Sequence, residues 1–191
     1  WTSTGRSGDG AAYYTLRGFS TQPSLVNGIA SLTNGDLDPA NIEQIEVIKG
    51  PSGTLFGGAL VNFGGLINVV TKRPIDSVGG EVSYTVGSFD QHRVTADIYG
   101  PLSKNKKLLG RVNAAYHRQN SFQDVGFRKS FFIAPSLEFR ANDRLTINVD
   151  AEIYQFKGTN PLMVFFNRVR PLQATTPSEL QFDYNRSYTN N

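Results

Sequence analysis

Four groups of residues in this chain are of types that could do chemistry. The first is GPSGTLFGG at 50–58, whose outline is that of a phosphate-binding loop. No Gly-Lys-Ser/Thr follows it, and the next regular element is a strand-like apolar run rather than a long helix. Ser52 lacks the Gly-x-Ser-x-Gly elbow that would expose a nucleophile. The second group is Glu43 and Glu46, too close to a helix–strand junction for an acid/base pair and better read as solvated or internal salt bridges. The third is the two histidines, His92 and His117, which fall in or beside strands with no companion ligands. The fourth is Asn185-Arg186-Ser187, a glycosylation-acceptor pattern that is common by chance. With no cysteine there is neither a disulfide nor a thiolate metal site. These groups do not converge on an active site, so the chain reads as a non-enzyme with no metal or cofactor of its own.

Composition bounds the alternatives. A length of 191 residues suits one domain or two small ones with a real core. The net charge of +3 is mild and scattered, which argues against nucleic-acid binding. No window approaches the run of about 18 apolar residues that a membrane-crossing helix needs, and this leaves membrane-crossing strands open because they alternate. The chain starts at Trp1 with no initiator Met or signal peptide and ends on Tyr-Thr-Asn-Asn, so it reads as a mature or internal piece.

The stretch 42–74 organises the rest. Two short β-branched runs, 45–48 and 66–70, read as buried strands flanking a segment with Gly50, Gly53, Gly57, Gly58, Gly64 and Gly65. Upstream, 13–19 reads as a strand with Arg17 pointing inward, 20–28 as loop, and 29–32 as a short strand. Asp38-Pro39 reads as an N-cap followed by one helical turn over 39–43, and a second turn is expected over 51–56.

After Pro74 the pattern alternates with a period of two. Five strands of about ten residues are predicted over 81–86, 92–99, 108–118, 131–140 and 144–156, long enough to cross a bilayer at a tilt. Val112, Ala114 and Tyr116 oppose Arg111, Asn113 and His117 on one of them, and Leu145, Ile147, Val149, Ala151 and Ile153 line one face of another. For Phe139 and Leu145 to share a face, the hairpin between them needs an odd-numbered loop, most simply 141–143. The links 101–107 and 141–143 are short, whereas 120–130 and the segment after 157 are longer, the loop asymmetry of an outer-membrane barrel. Tyr116, Phe131 and Phe139 near strand ends fit either an interfacial girdle or ordinary cross-strand pairing, while Tyr99, Tyr154 and Phe156 fall on the polar face.

Leu16-Arg17-Gly18-Phe19, Asn27-Gly28-Ile29, 42–51, Leu55-Phe56-Gly57 and 64–74, in this order and followed by such strands, resemble the TonB-dependent outer-membrane receptors, most closely their siderophore-receptor branch. The resemblance implies a fold dominated by β-structure. A mixed α/β plug domain at 1–76, without its beginning, is followed at 77–191 by the first five strands of an antiparallel transmembrane barrel of about 22 strands. It implies a receptor in the cell outer membrane that binds a ferric siderophore, an iron(III) chelate, and imports it into the periplasm when a TonB-type energy-transducing protein pulls on the plug. The segment that this partner binds would precede the present chain. Outer-membrane lipid would be the other contact, with no nucleic acid. A receptor for cobalamin, haem or a glycan is the neighbouring alternative, and a soluble β-rich binding module the remote one. By motif position, Arg17 and Lys49 match the cations that lock the family's plug to carboxylates of the barrel wall, here expected beyond Asn191. Lys49 lacks the bidentate fork of the arginine often found there. Ligand contacts would come from plug apices at 20–23 and 31–34, with Gln22 and Leu32 as candidates. A third extracellular loop at 157–172 would add Phe165 and Arg168, which suit an anionic or aromatic chelate, although packing against other loops is the favoured role.

Overall fold

A computed structural model describes residues 3–6, 12–16, 18–30, 38–48, 65–122 and 126–159. They form three sheets. The first holds β1 (Ser3–Arg6), β2 (Ala12–Leu16) and β3 (Phe19–Thr21), paired antiparallel in that order. The second has the order β5-β4-β7-β6, from β4 (Pro23–Val26), β5 (Ile29–Ala30), β6 (Ile42–Ile48) and β7 (Leu66–Thr71). Its β4–β7 pair is parallel and the others antiparallel. The third contains β8 (Gly79–Gly87), β9 (Gln91–Pro101), β10 (Leu108–Asn120), β11 (Phe127–Asn142), β12 (Leu145–Asp150) and β13 (Ile153–Gly158). It is antiparallel throughout, with β12 and β13 both on the far side of β11.

Two features of the first half differ from the sequence reading. Residues 13–19 do not form one strand: Leu16 pairs with Phe19, so the chain reverses over two residues, and Gly18 takes φ +83° at the reversal. Only glycine adopts that conformation without strain. Residues 20–28 are not a loop either. Pro23 stands at the first position of β4, where its missing N–H costs the ladder least. Asn27 and Gly28, at φ +52° and +78°, make the tight two-residue turn into β5. The helical turn after Asp38 is present as a 3-10 helix, Pro39–Asn41. The expected turn over 51–56 lies outside the described residues.

The wall strands match the predicted pattern, with three adjustments. The stretch 144–156 is divided into β12 and β13, although both keep one register on β11. The break faces Pro135, whose carbonyl accepts from Ala151 N at 3.0 Å but which has no N–H to return the bond. The 141–143 hairpin is a two-residue turn, Asp143-Arg144, with an irregularity between Arg140 and Asn142, which together preserve the odd count. β10 and β11 run further than expected, so the connection read as 120–130 shrinks to 121–126. The 102–107 link is as long as that connection, and the segment after 157, the other long loop of the sequence reading, lies almost wholly outside the described residues.

The third sheet is inverted relative to one in water. Along β10, Arg111, Asn113 and His117 are buried while Val112 and Tyr116 are exposed; along β11, Ser130 and Ser136 are buried while Phe131, Leu137 and Phe139 are exposed. The register makes the exposed residues one continuous field. Tyr84 pairs with Val94, Val94 with Tyr116, and Tyr116 with Phe131; below them run Val82, Ala96, Ala114, Ile133 and Ile153. Val82 is 74% exposed and Ile98 62%. An apolar field of this extent is stable only against another apolar medium, and the polar face must then be satisfied inside.

Candidate functional site

The inward polar face meets the 3-10 helix and the segment that leaves β7. Asp38 caps the helix by accepting from Ala40 N at 2.9 Å, and the same buried carboxylate takes a guanidinium fork from Arg93 on β9, at 2.5 and 3.3 Å. Proline at the first helical position presets the turn that aims Asp38 outward. Ala40 packs against Ala115, Phe132 and Ala134, where two small wall residues leave room for the helix.

The second contact comes from Thr-Lys-Arg-Pro at 71–74. Lys72 Nζ lies 3.0 Å from Asp97 on β9. Arg111 on β10 holds both oxygens of that carboxylate, Nε at 2.9 Å and Nη2 at 2.7 Å, and its remaining nitrogen donates to the Arg73 carbonyl at 2.8 Å. The Tyr99 ring lies 5.0 Å from the same guanidinium. A cation satisfied on every side is how a buried charge is tolerated, and arginine's fork suits a carboxylate plus a carbonyl. Arg111 is 8% exposed.

Between the two contacts lies Asn113, fully buried. With its amide nitrogen toward Asp97 it donates to both carboxylate oxygens (3.1 and 3.2 Å) and to the Ala40 carbonyl (3.2 Å), leaving its oxygen 3.1 Å from the Asn41 side chain. Asn41 O accepts from Lys72 N at 2.9 Å, so the helix and the exit segment are tied together before either reaches the wall. Asp38, Asn41, Lys72 and Arg73 thus face Arg93, Asp97, Arg111 and Asn113 across one seam.

Behind the seam the second sheet is stitched by amides. Asn27 Nδ2 donates to Thr71 Oγ1 at 2.8 Å and its Oδ1 accepts from Thr71 N at 2.9 Å. Asn68 Oδ1 accepts from Gly28 N at 2.9 Å, and its Nδ2 donates to Glu46 at 2.7 Å. Glu46, exposed on β6, thus accepts from two neutral amides, Asn68 and, at 2.8 Å, Gln44 Nε2, where the sequence reading had a solvated or internal salt bridge. Leu16, Ile67 and Val69 form the core that joins the first sheet to the second, with Tyr14, Ile42 and Val47 packed on it.

Of the sequence-predicted site residues, Arg17, Lys49, Leu32, Phe165 and Arg168 lie outside the described residues. Gln22 is half-buried at the junction of β3 and β4 rather than on an open apex loop, and its carbonyl accepts from Ser24 Oγ at 3.1 Å. The seam residues were not singled out beforehand. Their signal was present in the charged and amide residues Arg93, Asp97, Arg111 and Asn113, all on the polar parity of two adjacent strands. A sheet face that is solvated would look the same in sequence.

Comparison with known proteins agrees with this geometry. The family model described as TonB-dependent Receptor Plug Domain matches residues 2–62. The ferripyoverdine receptor of Pseudomonas aeruginosa is 33% identical over 147 residues, which is 73% of this chain and 18% of that protein. The metal-pseudopaline receptor CntO of the same species is 33% identical over 116 residues, 61% of this chain and 16% of that protein. The solved pyoverdine outer membrane receptor FpvA of Pseudomonas aeruginosa, bound to pyoverdine, superposes with a TM-score of 0.73 at 31% identity, over 82% of this chain and 24% of that one. The chain spans under a fifth of the length of these two curated relatives. With plug-type motifs, an inside-out sheet and relatives of one kind, the chain belongs to the siderophore-receptor branch of the TonB-dependent outer-membrane receptors, of which it carries plug and early wall strands.

Proposed function

We propose that the whole receptor binds a ferric siderophore at the cell surface and imports it into the periplasm, with a TonB-type protein supplying the energy. The observation that carries this reading is the similarity, continuous across plug and wall strands, to receptors named for ferric siderophores. The division of labour follows: residues 1–76 act as the plug and 77–191 belong to the wall. The role is transport rather than catalysis. Gln22, Leu32, Phe165 and Arg168 are proposed ligand contacts, and Arg17 and Lys49 proposed locks to carboxylates in later strands. The seam is the fixed side of this device. It holds the exit of the plug to the second and third wall strands while the rest of the plug yields to force.

The similarity to a metal-pseudopaline receptor favours a second reading, in which the cargo is a metallophore complex of another metal. Deleting the gene and feeding iron-starved cells a panel of ferric siderophores tests the first reading. Loss of growth and of labelled-iron uptake with one siderophore is expected. Unchanged growth on all of them, with lost uptake of a different chelated metal, supports the second.

A further inference from the structure

The seam fastens the plug to β9 and β10, whereas along β11 and β12 the inward polar groups bond to one another. Ser136 and Asp150 stand opposite in the ladder, and Ser136 Oγ donates to the Asp150 carboxylate at 2.6 Å. Further along β11, Arg140 Nε donates to Glu138 of its own strand at 2.7 Å. Among the described residues, Ser136, Asp150 and Arg140 have no side-chain partner on the plug. Glu152 does reach across, to the Asn41 side chain. On the plug side, Asn27 uses its side-chain amide on Thr71 and not on the wall.

Two cavities follow this line. The first, of about 140 Å³, has Val26, Asn27 and Thr71 on the plug side and Ser136, Asp150 and Glu152 on the wall. The second, of about 380 Å³, lies at the turns 102–107 and 143–144, with Asp76 on the plug side and Lys107, Arg140 and Thr146 on the wall. Lys106 approaches Asp76 there only to 4.0 Å, with both side chains more than half exposed. Ser136 and Arg140 share the inward parity of β11 and stand about 13 Å apart along it, so the cavities are successive on one polar stripe. Beside the first cavity the wall ladder is itself interrupted, between Asp150 and Ile153 and opposite Pro135. Such interruptions are where a strand bends and re-aims its side chains.

We propose that the iron(III) chelate passes the plug along this stripe of β11 and β12. In this passage β4 withdraws from Ser136 and Asp150 while the 3-10 helix and the exit segment stay on β9 and β10. The path rests on the transport reading given above and adds to it where the plug opens. A cavity of about 140 Å³ is smaller than the roughly 300 Å³ at which small-molecule sites begin, so the stripe has to widen. Widening there leaves Asp38–Arg93, Lys72–Asp97 and the Arg73–Arg111 bond intact. The hydroxyls of Ser136 and Thr146, the Asp150 carboxylate and the Arg140 guanidinium then offer donors and acceptors to the polar rim of the passing chelate.

The test clamps each side of the plug in the full-length receptor. These 191 residues hold no cysteine, so introduced pairs bring the only thiols to the region. Val26→Cys/Ser136→Cys spans the first cavity, and Ala40→Cys/Ala115→Cys joins the helix to β10 where the two alanines already pack. Each pair is bridged in whole cells by a disulfide-containing bismaleimide, released afterwards with dithiothreitol, and assayed with labelled ferric siderophores. With the first bridge, surface binding is expected to be unchanged and import to slow by roughly tenfold or more, recovering on release. With the second, import should stay within about twofold of the unbridged rate. Import at the unbridged rate through the first bridge overturns the path. So does an equal loss with the second bridge, which would mean that the plug leaves the wall as a whole. An unbridged receptor that imports no ferric siderophore overturns the transport reading and the path with it, whereas import that the first bridge does not slow removes the path alone.

Discussion

Lys72 and Asp97 meet at 3.0 Å across the seam between the segment leaving β7 and the second wall strand. The contact matters because Asp97 is already held by Arg111, so one wall carboxylate serves a cation from each side. Arg111 in turn reaches the Arg73 carbonyl, and the backbone of the exit segment is fastened along with its side chain.

Removing the shared carboxylate should therefore have the largest effect. Asp97→Ala leaves Arg111 buried with the Arg73 carbonyl as its only close acceptor among the described residues, and breaking one side of a buried pair costs about 3 kcal/mol. A lower thermal midpoint of the full receptor and greater entry of large antibiotics into cells are expected. An unchanged midpoint would show that the seam contributes nothing to plug docking.

Lys72→Met tests the same junction from the plug side. Its ammonium is partly exposed and Arg111 still neutralises Asp97, so the loss should be only about 1 kcal/mol. Midpoints measured side by side should rank Asp97→Ala well below Lys72→Met, and the double variant should lose less than the two single losses added together.

Asp38 has two jobs that substitution can separate. Asp38→Asn keeps a side-chain oxygen for the Ala40 N–H and weakens only the fork with Arg93. Asp38→Ala loses both, so it should be less stable than the Asn variant by about 1 kcal/mol, the worth of an N-cap. Equal stability of the two variants in denaturant titration would assign the whole effect to the ion pair.

Gly28→Ala probes the turn between β4 and β5. A methyl group there would meet no atom within 4 Å, so space is not the obstacle. The cost comes from φ +78° alone and should be about 1 kcal/mol. Asn27→Ala should cost more, since it also removes both side-chain bonds to Thr71; melting the two variants together checks the order.

The inverted face gives the sharpest contrast with a water-soluble sheet. Ile98 is exposed on β9, where arginine would be harmless in water. In a bilayer midplane it should cost about 2–4 kcal/mol. Folding of Ile98→Arg into lipid vesicles, followed by the heat-dependent shift in gel mobility, should be impaired while that of Thr95→Ser on the inner face is not.

Much of this architecture was legible in the residues themselves. A period of two over long stretches fixes which side chains share a face, so the outward field from Val82 to Ile153 and the inward parity of Tyr99, Tyr154 and Phe156 could be read directly. Asp38-Pro39 announced its helical turn through local hydrogen bonding and a preset φ. Gly18 and Asn27-Gly28 were harder. Their reversals depend on strands that pair on either side, and without those partners the same residues read as strand interior or loop. The division at Ala151 needed Pro135 as its neighbour across the ladder, which only the register supplies.

What the sequence by itself determined was the alternation, the turns with local causes and the family motifs, because each depends on residues close together in the chain. Only the tertiary structure decided which charges meet. Asp38 finds Arg93, and Lys72 finds Asp97 and Arg111, because β9 and β10 happen to lie where the 3-10 helix and the exit of β7 approach the wall. Coulomb attraction and hydrogen bonding act over a few ångströms whatever the separation in sequence, so no spacing rule in the chain could announce them.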